Sequence, residues 1–169
     1  MKTYITLVLI LVTSLGFSQN QNKIDVEKLK IKVHKLINEE RAGNDRKVLG
    51  LDSFLKKAAD DHAKHISKAQ TLSHEQTDSK KQSPKERVYF YGGNSFVLVG
   101  ENLLFTGIKD QIYSETDLDA LALKMFNLWK KSPNHYKNMI EHKYFYTEIG
   151  FSIDWENKKI YAVQLFGAK

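Results

Sequence analysis

Apolar residues recur at helical spacing in three long segments of the chain. In the first of them, leucine, valine and isoleucine return every three or four positions, which is the period of one face of an α-helix. The three segments cover residues 25–41, 52–69 and 114–132. An Asp, Ser or Thr that favours the N-cap position stands at the start of each segment. We therefore predict three amphipathic helices. A short fourth helix is predicted over 133–141, because Ser132 and Pro133 suit a helix start.

The C-terminal part of the chain changes to a period of two. Apolar and polar residues alternate over 144–154 and again over 159–166, with a polar turn between them, so the pattern predicts a β-hairpin. Loops are predicted over 42–50 and 71–86, and the segment from Phe96 to Leu103 fits either an extended piece or a turn that enters a helix. Helices together with a terminal hairpin predict a mixed α/β (α+β) domain built in layers.

The N-terminus has the features of a secretory signal peptide. Lys2 precedes an uncharged apolar run that is too short to span a bilayer, and the small residues Gly16 and Ser18 suit a cleavage site before Gln19. An uncleaved membrane anchor is the alternative. We expect a signal peptide over 1–19, a polar leader over 20–25 and one domain over 26–169. The expected localisation is secreted, either extracellular or periplasmic, with no stable membrane insertion after cleavage.

Composition narrows the chemistry that this domain can perform. The chain has no cysteine, which excludes disulfides, cysteine nucleophiles and zinc–thiolate sites. The formal net charge is +6, but the lysines are scattered along the predicted helices instead of forming a basic block. We therefore interpret the charge as a solvated surface and expect no nucleic-acid partner.

Five short motifs occur in an order that is typical of one family. They are NEER with the later AADDHA, LSH, GENL, WKKSPNH running into EIGFS, and the ending IYAVQLFG. In this order and spacing, the chain resembles the bacterial secreted form of the CAP (SCP-like) domain from about Val26 to Gly167. The resemblance implies a three-layer α-β-α sandwich with a cleft on one side.

The resemblance also implies a set of site residues. In many members the cleft holds two histidines and two glutamates, and three of these groups map onto His74, Glu101 and His135. The position of the second glutamate is Ser132 in this chain. Glu148 or Glu75 could substitute, although nothing in the sequence places either one in the cleft.

Two chemical interpretations of His74, Glu101 and His135 stay open. Two imidazoles and a carboxylate suit Zn²⁺ or a similar divalent ion with an open coordination position. In the other interpretation, the same groups form a hydrogen-bonded cluster that ties loops to the core. No cofactor is required by the sequence, and a divalent metal is the one candidate.

The remaining candidates fit structural roles better than catalytic ones. His62 lies on the apolar face of the second helix, with His65 beside it, and we interpret it as a core histidine that holds a hydrogen bond. Ser73 beside His74 is not a catalytic triad, Asn102 is expected to hold a turn, and Trp129 is expected to pack in the core. No catalytic residue is therefore assigned.

The sequence favours a secreted binding or interaction module over an enzyme. Its cleft would accept a small molecule, a lipid, a peptide or a wall fragment, with or without a divalent metal. The alternative is a metal-assisted hydrolase that acts on peptide or cell-wall material, with Glu101 as general base. A third hypothesis is a structural or adhesive domain with a vestigial site.

Overall fold

A computed structural model describes residues 23–169, so the predicted signal peptide lies outside the described residues. Over this range the chain forms five helices and four strands. In chain order they are α1 (Val26–Ala42), β1 (Gly50–Leu51), α2 (Ser53–Ala69), α3 (Pro84–Phe90), β2 (Leu98–Gly107), α4 (Glu115–Lys130), α5 (Pro133–Met139), β3 (Tyr146–Asp154) and β4 (Lys159–Ala168). The mixed α/β class predicted from the sequence is confirmed.

The four strands form one sheet in the order β1-β3-β4-β2. The predicted C-terminal hairpin is present, since β3 and β4 pair antiparallel from Tyr146 opposite Gly167 to Asp154 opposite Lys159. On its other side β4 pairs antiparallel with β2 along ten residues, and the two-residue β1 joins the far edge of β3 in parallel. The central strand β4 is buried along nearly its whole length.

Helices cover both faces of the sheet and give three layers. One apolar cluster packs α1 and α4 against one face, around the fully buried Trp129, which confirms its predicted core position. The second cluster packs α2 and α3 against the opposite face, around Leu165 and Phe96. The predicted three-layer α-β-α arrangement is therefore confirmed. No helix among residues 23–169 is long and apolar enough to cross a membrane.

The helix starts follow the capping residues in the sequence. The Asp25 carboxylate accepts from the Lys28 backbone N–H, and Asp52 accepts from the first backbone N–H groups of α2. Ser114 and Asp117 form a reciprocal capping box at the start of α4. Ser132 occupies the N-cap position of α5 as predicted, but its hydroxyl makes no capping bond.

Three elements differ from the expectations. The segment 84–90 is the helix α3. Two features of the sequence indicate its start: the capping box that Ser83 forms with Glu86, and Pro84 at the first helical position. The segment after Phe96 is a full ten-residue strand, so the expectation of Asn102 in a turn was wrong: Asn102 lies within β2 and is completely buried. The short strand β1 lies at the end of the predicted loop 42–50.

Candidate functional site

A buried ion pair forms the base of the candidate site. Glu101 lies on β2 facing α2, and its side chain is 1% exposed. Its Oε2 atom accepts from Nη2 of Arg87 at 2.6 Å, and its Oε1 atom accepts from Nδ1 of His74 at 2.8 Å. Arg87 is also fully buried. Breaking such a pair leaves an uncompensated buried charge, so these residues depend on each other for stability.

Arg87 also organises the long polar loop that carries His74. Its Nη1 atom donates to the backbone carbonyls of His74, Lys81 and Gln82 at 3.0–3.2 Å. The capping box at Ser83 fixes the start of α3, one turn before Arg87, and thereby directs the guanidinium toward the loop. One guanidinium therefore joins the loop, α3 and β2.

His74 is the accessible member of the site. Its side chain is 55% exposed, although Nδ1 is held by Glu101. A carboxylate paired with a guanidinium only accepts, so Nδ1 of His74 carries the proton and donates. The Nε2 atom of the neutral ring then has a free lone pair. The hydrogen bond to Glu101 also raises the pKa of His74 above its ordinary value.

His62 supports the loop from below, as the predicted core histidine. It is fully buried on α2, and its Nε2 atom donates to the Ser73 carbonyl at 2.8 Å. Its Nδ1 atom lies 3.0 Å from Nε2 of Gln76. Burial lowers the pKa of His62 to about 4, so the ring is neutral at physiological pH.

His135 lies in α5, and the side chain of Asn102 on β2 holds the backbone of that helix: Nδ2 of Asn102 donates to the His135 carbonyl at 3.0 Å. Asn138 bridges back to Oδ1 of Asn102 and to the Glu101 carbonyl. Burial lowers the pKa of His135, and the nearby charge of His74 lowers it further.

The contacts of Glu101 change the chemistry expected for a metal. Each of its oxygens already accepts a hydrogen bond, one from His74 and the other from Arg87. Within residues 23–169 no group of three or more His, Asp or Glu side chains is placed to hold a metal ion. The arrangement fits a carboxylate that orients a histidine whose second nitrogen remains free.

The residues considered as substitutes for the second glutamate lie elsewhere. Glu75 is exposed on the loop. Glu148 on β3 is separated from Glu101 by Leu165, which stands opposite both of them in the sheet register. This puts the Cα atoms of the two glutamates on either side of a strand, roughly 10 Å apart along the sheet. Glu148 instead lies 3.9 Å from Lys30 of α1.

Sequence reasoning missed Arg87 and Gln76. Arg87 is a single basic residue in an aromatic-rich run, and only the return of β2 beside α3 brings it to Glu101. Its position at the end of the first turn of a capped helix was the available signal. Gln76 is one polar residue among many in a polar loop, and nothing in its local sequence distinguishes it, although it is buried.

Comparisons with known proteins agree with this architecture. The sequence profile of the cysteine-rich secretory protein family, CAP, matches residues 34–166. The chain therefore belongs to the CAP family, although it contains no cysteine. Among curated protein sequences, none matches the chain.

Several solved structures share the fold at low sequence identity. An outer surface protein from Borrelia burgdorferi is 24% identical, with a TM-score of 0.70 and coverage of 86% of this chain and 96% of that one. An extracellular SCP-domain protein from Bacillus anthracis is 19% identical with a TM-score of 0.65, covering 85% of this chain and 41% of that one. The structure described as NaASP2 with Zn²⁺ is 15% identical with a TM-score of 0.56, covering 83% and 79%. At these identities the comparison supports the fold.

Proposed function

We propose that this chain is an extracellular binding module whose ligand site is bordered by His74, Glu101 and His135. The observation that carries the proposal is the state of His74. Its ring is held at Nδ1 by the buried Glu101–Arg87 pair, yet its side chain is half exposed, which leaves Nε2 for a ligand. A polar group that is fixed on one side and accessible on the other is suited to recognising a ligand. The outer-surface and extracellular relatives support the same setting.

The ligand would meet two imidazoles with different properties. His74 offers a lone pair at Nε2, or a donor there once it is protonated, and burial lowers the pKa of the half-buried His135, which favours its neutral ring. A polar group on a small molecule, a lipid, a peptide or a wall fragment can hydrogen-bond to both. Export to the cell surface brings the site into contact with such material.

A divalent ion such as Zn²⁺ is a second ligand for the same groups. His74 and His135 would be its protein ligands, and Glu101 would orient His74 without touching the metal. The zinc named for NaASP2 supports testing this ion first. With two protein ligands instead of three or four, we expect weak binding that leaves positions open for a further ligand.

Titration calorimetry with Zn²⁺ and with soluble wall fragments tests the site. We expect His74→Ala and His135→Ala each to weaken binding at least tenfold. The matched control is His142→Ala, because the His142 side chain is 69% exposed and contacts Glu141 instead of the site. Binding that survives the double variant His74→Ala with His135→Ala would place the ligand elsewhere.

The geometry favours the binding module over the metal-assisted hydrolase. A general base needs a carboxylate oxygen that water can reach. Glu101 is 1% exposed, and both of its oxygens are engaged. Incubation with peptide and peptidoglycan panels, with and without a chelator, tests the alternative. Chelator-sensitive turnover that is lost in Glu101→Gln would support the hydrolase over our proposal.

Secretion follows from the predicted signal peptide and is part of the proposal. Mass spectrometry of the mature protein from its native host tests it directly. We expect an N-terminus at Gln19. A retained Met1 would favour the anchored form.

A further inference from the structure

A chain of hydrogen-bonded side chains links the surface of α2 to the loop that carries His74. Lys81 Nζ lies 3.2 Å from Oδ1 of Asp61, and Nε2 of Gln76 donates to Oδ2 of Asp61 at 3.1 Å. The same amide nitrogen lies 3.0 Å from Nδ1 of His62. His62 in turn reaches the Ser73 carbonyl, directly before His74 in the chain. Gln76 is itself 6% exposed, although its loop is mostly on the surface.

The two ends of this chain determine every proton in it. The Asp61 carboxylate only accepts, so the Gln76 side chain must present its NH₂ group to it. One N–H of that group then points to Asp61 and the other to His62. His62 Nδ1 is then an acceptor. Its proton lies on Nε2, which donates to the Ser73 carbonyl, another group that only accepts. One arrangement satisfies all four groups.

The consequence is a double clamp on the backbone at His74. The carbonyl before it is held by His62, and its own carbonyl is held by Nη1 of Arg87 at 3.1 Å. The imidazole is held at Nδ1 by Glu101. Without the His62 bond, rotation of the Ser73 peptide would move the His74 ring away from Glu101.

We propose that His62 and Gln76 are positioning residues for His74, with Gln76 fixing the His62 tautomer that holds the Ser73 carbonyl. This inference rests on the proposed function in one respect only, namely that His74 contacts a ligand. His62 would touch no ligand, since it is fully buried beneath the loop.

Two pairs of variants separate positioning from packing. His62→Leu removes the donor, whereas His62→Gln keeps an N–H near the position of Nε2. Gln76→Met removes the amide with little change of shape, and Gln82→Met is its control on an exposed side chain of the same loop. Nitrogen-15 spectra of the histidine rings at neutral pH report the His62 tautomer and the hydrogen-bonded Nδ1–H of His74. Zn²⁺ titration reports the effect on ligand binding.

We expect the wild-type spectrum to show His62 with its proton on Nε2. Gln76→Met should give a mixture of His62 tautomers, and both it and His62→Leu should lose the protected His74 Nδ1–H signal. His62→Gln and Gln82→Met should keep that signal. Zn²⁺ affinity should fall about tenfold in Gln76→Met and His62→Leu and be retained in His62→Gln and Gln82→Met.

Two results would overturn the inference. One is a wild-type His62 protonated on Nδ1, and the other is an unchanged His74 signal in folded Gln76→Met. Should His62→Leu fail to fold, Gln76→Met decides alone. The ring spectra need no ligand, so absence of Zn²⁺ binding in the wild type would count against the metal at the proposed site and leave the positioning test intact.

Discussion

Replacement of Arg87 by methionine should destabilise the protein more than any surface charge change. The variant leaves Glu101 buried beside an apolar side chain, because that carboxylate is 1% exposed and loses its 2.6 Å partner. It also removes the donor to three loop carbonyls. Loss of one partner from a buried pair costs about 3–5 kcal/mol. Since the loop carbonyls can return to water, we expect a loss of about 4 kcal/mol in the free energy of unfolding.

Urea unfolding followed by circular dichroism measures this loss. Because a domain of this kind has about 5–15 kcal/mol of stability in total, the midpoint should move far toward low denaturant. The control is Lys28→Met, which removes one partner of an exposed pair with Glu115. Exposed pairs contribute little, so this variant should unfold like the wild type.

A double-mutant cycle separates the ion pair from the carbonyl contacts. Glu101→Gln alone should be destabilising, because Arg87 then loses its counter-charge. The double variant Arg87→Met with Glu101→Gln should lose less than the sum of the single variants, with a coupling of about 2 kcal/mol. A loss under about 1 kcal/mol in Arg87→Met, or additive single losses, would refute the view that this pair anchors the site.

Three further variants test the fold around the site. Gly150→Ala should cost about 3 kcal/mol or more in thermal or urea unfolding, since a β-carbon there would lie 2.3 Å from the Ala59 backbone; unfolding like the wild type would disprove that close contact. Arg41→Lys should cost about 2–4 kcal/mol, because lysine cannot reach the four backbone carbonyls that the buried guanidinium binds; a tolerated lysine would contradict that role. Burial raises the pKa of Glu148, so stability should fall as the pH rises from the ordinary glutamate pKa through the raised one. Glu148→Gln should flatten that fall in a series of unfolding curves, despite the loss of the Lys30 contact, and an unchanged pH dependence would refute it.

Long periodic segments were predictable because their signal is local. The helix predicted over 52–69 is observed as Ser53–Ala69, and the strand predicted from 144 begins at Tyr146. Their apolar faces repeat several times, so the pattern exceeds the noise of single residues. The two-residue β1 and the seven-residue α3 are too short to show a period. Their existence depends on pairing with β3 and on the cap at Ser83.

The strand β2 was ambiguous for a different reason. Its centre carries Glu101 and Asn102, two polar residues that disfavour a buried strand when read locally. Both are buried because distant groups satisfy them: Arg87 pairs with the first, and the His135 carbonyl accepts from the second. The two polar residues that made the strand hard to predict are therefore the ones that build the site. A sequence pattern does not reveal partners that are brought together by folding.

The same long-range contacts bear on what the site can attract. The family resemblance places a second carboxylate at the position of Ser132, whereas this chain has a neutral hydroxyl there, and the charge of Glu101 is balanced by Arg87. A pair of opposite charges in contact produces a weak field beyond a few ångströms compared with an isolated carboxylate. The described groups of the site therefore attract a ligand less by net negative charge than an isolated carboxylate would. Recognition would then depend on directional bonds to the two imidazoles, so the orientation of His74 matters more than the charge around it.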